Sequence, residues 1–187
     1  MDTHFGELER KVRIIPMQDI DYSVVFDEDL SGVPCDLGRL QEIERNCGRK
    51  LPESYARLIE ESGGGYLNDE HSFLPGDYLS SEPDGVVVEQ ILGNGILSND
   101  VHNSLDDPEF GGLAIAKEWD YPKEALLFAI SEAGAHIVFM INYDFEQYPL
   151  HSILCFNDEM EGGMVAESFD EFIQNLTEWD EEDEDLD

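Results

Sequence analysis

Three residue types in this chain could do chemistry: five histidines, three cysteines and a large excess of carboxylates. His4, His71, His102, His136 and His151 are scattered, and no HExxH motif joins two of them. His136 lies in a strand pattern, where a hydrogen-bonded structural histidine is expected. His102 shares a polar stretch with Asp100, Asp106 and Asp107, the nearest approach to a metal-ligand set, but the spacing matches no ligand pattern. The Asp-rich C-terminus lacks the central glycine and spaced ligands of a calcium loop, so only weak, nonspecific cation binding is expected there. Cys35, Cys47 and Cys155 cannot all pair, and none forms a CxxC, which points to reduced thiols in a cytoplasm. Cys155 falls in an apolar run and reads as an inert buried thiol. There is no P-loop, GxGxxG or GxSxG. Gly63-Gly64-Gly65 follows a helix, whereas a phosphate cradle precedes one. Carboxylates are too abundant for one pair to stand out as general acid and base. The residues predict no enzyme, no cofactor and no metal.

The carboxylates matter as a field. Ten basic residues against 44 acidic ones give −34. Eight of those acids lie at Glu178, Asp180 to Asp185 and Asp187, and removing eight charges from −34 still leaves −26. Lys and Arg occur up to Lys123 and nowhere after it. Such a field repels nucleic acid and membrane surfaces and attracts a basic protein. Mean hydropathy is −0.36, and no apolar run approaches the roughly 18–20 residues of a membrane span. Residues 1–7 have neither the basic nor the apolar region of a signal peptide, so none is expected.

The elements that would position these groups are legible in part. Leu51 to Gly65 carries a helix start, a face and a stop. Pro52 suits the first helical position, and Glu53 complements the positive end of the helix dipole. Leu51, Tyr55, Leu58 and Ile59 form one buried stripe, each such residue worth roughly 1.5–3 kcal/mol when buried. Gly63 can take the left-handed conformation that ends the helix. An earlier helix is expected from Asp36, its N-cap, with Leu37, Leu40, Ile43 and Cys47 on one side and Gly48 as its stop. The bases beside it, Arg39, Arg45, Arg49 and Lys50, read as a solvated face.

Further on, 86–92 reads as a strand, with a tight-turn signal at Asn94-Gly95 before Ile96-Leu97. Residues 98–112 read as a surface loop and 113–116 as a short strand. Residues 125–130 and 135–141 read as adjacent strands joined through 131–134, and 152–156 as another. Residues 12–15 and 22–26 read weakly, as short strands or an extended arm. Ser168-Phe169-Asp170-Glu171 is a capping box opening a last helix with Phe169, Phe172, Ile173 and Leu176 on its apolar face. Asp180–Asp185 has no hydrophobic partner and is expected to be disordered. The expected class is α+β: a mostly antiparallel, possibly mixed, central sheet flanked by N-terminal helices and one C-terminal helix. Residues 1–35 form an extension, 36–177 the domain and 178–187 an acidic tail.

The ordered set of these pieces resembles the SMI1/KNR4 family, also called the SUKH superfamily. The matching residues are Asn46-Cys47-Gly48, then Leu51-Pro52-x-x-Tyr55, Leu58-Ile59 and Gly63-Gly64-Gly65, the strand pair around Phe128-Ala129 and Ile137-Val138-Phe139, and Ala166 to Ile173. The resemblance spans about residues 36 to 176, within the few residues by which helix ends can be placed. It implies an α+β binding domain. Many bacterial members resemble immunity proteins that neutralise toxins, often nucleases, and fungal members act in cell-wall signalling.

Chemistry and resemblance converge on a non-catalytic protein that binds a basic partner, a cognate toxin, with a regulatory adaptor as the alternative. Loops carry recognition on a fixed scaffold. The candidate partner-binding residues are therefore Asp106, Asp107 and Glu109 in the long loop, Asp144 and Glu146 after a strand, and Asp158, Glu159 and Glu161 before the final helix.

Overall fold

The computed structural model describes residues 20–96 and 103–179. The strand candidate at 12–15, His102 with Asp100, Leu97 and the run after Trp179 lie outside the described residues. A 3-10 turn, Tyr22–Val25, leads into β1 (Phe26–Ser31), then α1 (Leu37–Cys47) and α2 (Glu53–Glu61). After these come β2 (Gly65–Leu67), β3 (Phe73–Pro75), β4 (Gly85–Ile91) and α3 (Gly112–Glu118). The chain closes with β5 (Ala125–Ser131), β6 (Gly134–Asn142), β7 (Ile153–Asn157), β8 (Gly162–Ala166) and α4 (Phe169–Asn175). The fold is α+β. One eight-stranded sheet runs in the order β1-β2-β4-β5-β6-β7-β8, with β3 also on β4, and every named strand pair is antiparallel.

The helix ends follow their caps. Asp36 accepts from the Arg39 amide at 2.9 Å, and Gly48 closes α1 in the left-handed region. Pro52 stands one residue earlier than expected: it precedes the first helical residue, and its carbonyl accepts from the Ala56 amide. In α4 the Ser168 hydroxyl accepts from the Glu171 amide. The Glu171 carboxylate reaches back past the cap to the Glu167 amide.

Tyr55, Leu58 and Ile59 of α2 and Phe169 and Phe172 of α4 meet one face of the sheet, all fully buried. The Tyr55 ring stands 5.5 Å from Phe128 and 5.0 Å from Phe169, and Phe172 lies 5.4 Å from both Phe128 and Phe139. The Tyr55 hydroxyl donates to the Leu92 carbonyl at 2.7 Å, so this buried polar atom is paired. Helix α3 packs on β5. Trp119, just after it, meets His136, which by strand alternation points away from the Phe139 face.

Several expectations need correction. Leu113 to Ala116 belong to α3: Leu-Ala-Ile-Ala mimics strand alternation, but Ala, Lys and Glu favour the helix. Residues 22–25 are a 3-10 turn, and the strand begins only at Phe26. Tyr22, Val25 and Phe26 lie in the core and β1 pairs with β2, so residues 22–35 are integral to the domain. The short strands β2, β3 and β8 were not foreseen. Asn94-Gly95 closes no hairpin among the described residues; Asn94 Nδ2 donates to the Val33 and Ile59 carbonyls, and its Oδ1 accepts from the Ile96 amide. The triple glycine does more than stop a helix. Gly32, Gly63, Gly64 and Gly93 meet backbone to backbone, and a Cβ at Gly93 would collide with the Gly63 carbonyl.

Candidate functional site

The long loop before α3 is anchored from beneath. Leu105 is fully buried, and Asp106 turns inward, its side chain only 3% exposed. Arg39 grips it with two nitrogens, at 3.0 and 2.5 Å, and Asn46 Nδ2 and the Ser104 hydroxyl add bonds of 2.7 and 3.2 Å. Burial pushes the Asp106 carboxyl up, but these bonds outweigh burial and hold it below the ordinary aspartate value. Asp106 therefore ties the loop to α1, its carboxylate turned inward and taken up by Arg39 and Asn46. Residues 103–111 accordingly are not a plain surface loop. Asp107 accepts from the Glu109 and Phe110 amides, both at 2.8 Å, which sets the turn that exposes Glu109 and Phe110.

Asp144 and Glu146 stand on a second built loop, 143–151. Its hub is the buried Asn142, whose Nδ2 donates to the carbonyls of Phe145, Tyr148 and Pro149 while its Oδ1 accepts from the Phe145 amide. The loop leans on the end of α1. Arg49 pairs with Asp144 at 2.6 Å and lies 4.7 Å from the Tyr143 ring centre, and the Tyr143 hydroxyl donates to the Lys50 carbonyl at 2.7 Å. Asp144 keeps 59% of its side chain exposed.

Asp158, Glu159 and Glu161 occupy the β7–β8 turn. Asn157 Oδ1 accepts from the Glu159 and Glu161 amides and so shapes it. Glu161 reaches across the chain: it accepts from the Ser80 amide and hydroxyl, both at 3.0 Å, and from Asn157 Nδ2 at 3.2 Å. The Ser80 bonds hold its carboxyl below the ordinary glutamate value. Asp158 pairs with His136 Nδ1 at 2.8 Å. His136 is bonded as expected, yet it is an exposed residue whose imidazole stands edge-on to Trp119.

These groups do not form one site. Ala125 is paired with Asn142 and Ile137 with Asn157. Asp144 and Glu146 therefore lie at one end of the β5–β7 strands, and Asp158 to Glu161 at the other. Asp107 and Glu109 sit in a third place, on the loop that Asp106 anchors to α1. Of the residues that hold the loops, Arg39 and Asn142 carried no motif and Asn94 stood only in a turn signal; their partners in the folded chain mark them. Arg39 and Arg49 are not a solvated face, being largely covered and paired with Asp106 and Asp144, whereas Arg45 and Lys50 are exposed as expected, Lys50 beside Glu44.

Among the described residues, no group of three or more His, Cys, Asp or Glu is placed to hold a metal. The three cysteines are free thiols, and burial pushes Cys155 up to about 12. No helix among the described residues is long and apolar enough to cross a membrane. Compared with known protein families, residues 34–175 match the model of the SMI1 / KNR4 family (SUKH-1), well over half of the chain. No curated protein matches it.

Proposed function

This chain belongs to the SMI1/KNR4 family (SUKH-1), and from that premise we propose that it is a non-catalytic immunity-type protein that binds and neutralises a cognate toxin. The toxin presents a basic surface, as a nuclease must to hold phosphates. The observation that carries this reading is the charge: −34, with no Lys or Arg after Lys123. Glu109, Asp144, Asp158 and Glu159 are exposed on loops held by buried or bonded anchors, so a partner meets carboxylates whose backbone is already ordered. Preorganised loops lose less entropy on binding. Asp107, Glu146 and Glu161 complete the proposed contacts, and the loops act as separate patches beneath one long-range field. The protein works in the cytoplasm as the domain 22–177, with residues 1–21 and the acidic tail as additions.

The test is binding to a basic nuclease encoded beside this chain, with association and dissociation rates measured at low and high salt. Steering predicts that salt slows association more than it speeds dissociation. Neutralising Asp158, Glu159 and Glu161 together, or Asp144 and Glu146 together, slows association further. Rates indifferent to salt and to both variants exclude the electrostatic mechanism. If no neighbouring gene product binds, the chain is a regulatory adaptor for another basic protein.

A further inference from the structure

Seven cations fall among the described residues: Arg39, Arg45, Arg49, Lys50, Arg57, Lys117 and Lys123. Four are ion-paired, with Asp106, Asp144, Glu44 and Glu61. Arg45, Lys117 and Lys123 have no ion pair among the described residues, although the chain carries 44 acids. The unpaired three are not dispersed. Lys117 and Lys123 line one cavity of about 430 Å³, and Arg45 lines a shallower one that shares Arg49 with it. Small-molecule sites span roughly 300–1,000 Å³.

The larger cavity lies between the end of α1, α3 and the first residues of β5. Leu113, Ala116, Tyr121, Pro122 and Leu126 give it an apolar lining. Arg49 is committed to Asp144, and Asp120 is the one acid of the wall, so Lys117 and Lys123 leave a single positive charge in excess. We infer that this pocket binds a small amphipathic monoanion, an aromatic or short acyl body bearing one carboxylate. The body is seated on Leu113 and Leu126, and the carboxylate lies between the two lysines. Burial of the body supplies affinity, and the lysines select the charge. Asp158, Glu159 and Glu161 lie at the other end of the sheet, whereas Asp144 of the proposed contacts pairs with Arg49 of the cavity wall; the pocket adjoins that patch, but its ligand does not depend on the toxin reading.

The test titrates the full chain, methyl-labelled at leucine, with 1-naphthoate at 0.15 M salt. There the screening length of about 8 Å removes most of the long-range negative field. Saturable shifts of the Leu113 and Leu126 methyls are expected, with the neutral analogue 1-naphthalenemethanol at least about fivefold weaker. Exposed ion pairs contribute up to about fivefold each, so Lys117→Gln/Lys123→Gln should weaken naphthoate about tenfold. Ala116→Leu, which fills the cavity, should abolish the shifts while thermal unfolding stays cooperative. Four results would overturn the proposal: no saturable shift at those methyls, equal binding of the neutral alcohol, no effect of the double variant, or no effect of Ala116→Leu. A Glu-Phe-Glu-Phe peptide that bound tenfold more tightly than naphthoate would also overturn it, and would assign the pocket to a partner's acidic segment.

Discussion

The guanidinium of Arg39 in α1 and the carboxylate of Asp106, 67 residues later, form a two-pronged pair in which Asp106 is 3% and Arg39 21% exposed. Arg39 also donates through Nε and a terminal nitrogen to the Asn94 carbonyl, at 3.0 and 2.9 Å. One side chain thus joins α1, the end of β4 and the loop that leads into α3.

Removing Asp106 leaves that guanidinium in a half-buried site without its bidentate partner, with only the more distant Glu42 carboxylate at 3.4 Å. Asp106→Ala is expected to cost about 3 kcal/mol, the low end for breaking a buried pair by deleting one partner. Urea unfolding measures it. Folded Asp106 titrates below the ordinary aspartate value near 4. Its contribution is therefore complete above that value and is lost as the pH falls through the folded one. The gap between wild type and Asp106→Ala should stay constant from pH 7 to 5 and narrow as the pH drops below about 4. A gap that widens with acid would contradict the pairing.

Asn142→Ala removes four hydrogen bonds inside a single loop and leaves the Tyr148 carbonyl and the Phe145 amide without that partner, while the Phe145 and Pro149 carbonyls keep the Tyr148 and Ser152 amides. Unsatisfied buried groups cost about 1–3 kcal/mol each, partly relieved by water, so a net loss of about 3 kcal/mol is expected. Hydrogen exchange should show protection lost first at 143–151, with the ladder between β6 and β7 retained. Uniform loss along β6 would mean that the loop is not the unit that opens.

Leu58→Asp places a carboxylate at a fully buried position of α2, among the groups that cover the sheet. An isolated buried charge cannot be paid back there, and cooperative thermal unfolding should disappear. An unchanged melting temperature would show that α2 is not packed against the sheet.

Deleting residues 180–187 removes seven acids and a single apolar side chain, Leu186. Since like charges repel, the truncated protein should melt at the same temperature or slightly higher, with the gain fading as salt is added. Loss of cooperative unfolding would show that the segment is part of the domain.

What the sequence determined by itself is local. Asp36 and Gly48 bracket α1, Ser168 and Glu171 open α4, and the stripe of Tyr55, Leu58 and Ile59 marks α2, because capping and helical periodicity act over a few residues. The β5–β6 hairpin was equally legible, its strands being long and its turn short. The charge field needed only counting. Tertiary structure decided everything that depends on a partner far along the chain. Strands β2 and β3 have three residues each and exist because β4 supplies their hydrogen bonds. The run at 113–116 is helical by the propensity of the Ala, Lys and Glu of α3, and folding added its packing beside β5. Asp106 and Glu109 look alike in sequence, three residues apart in one polar stretch. Only folding brings Arg39 to the first and leaves the second in solvent. In the same way, Lys117 and Lys123 are two unremarked bases until the end of α1 closes a pocket over them.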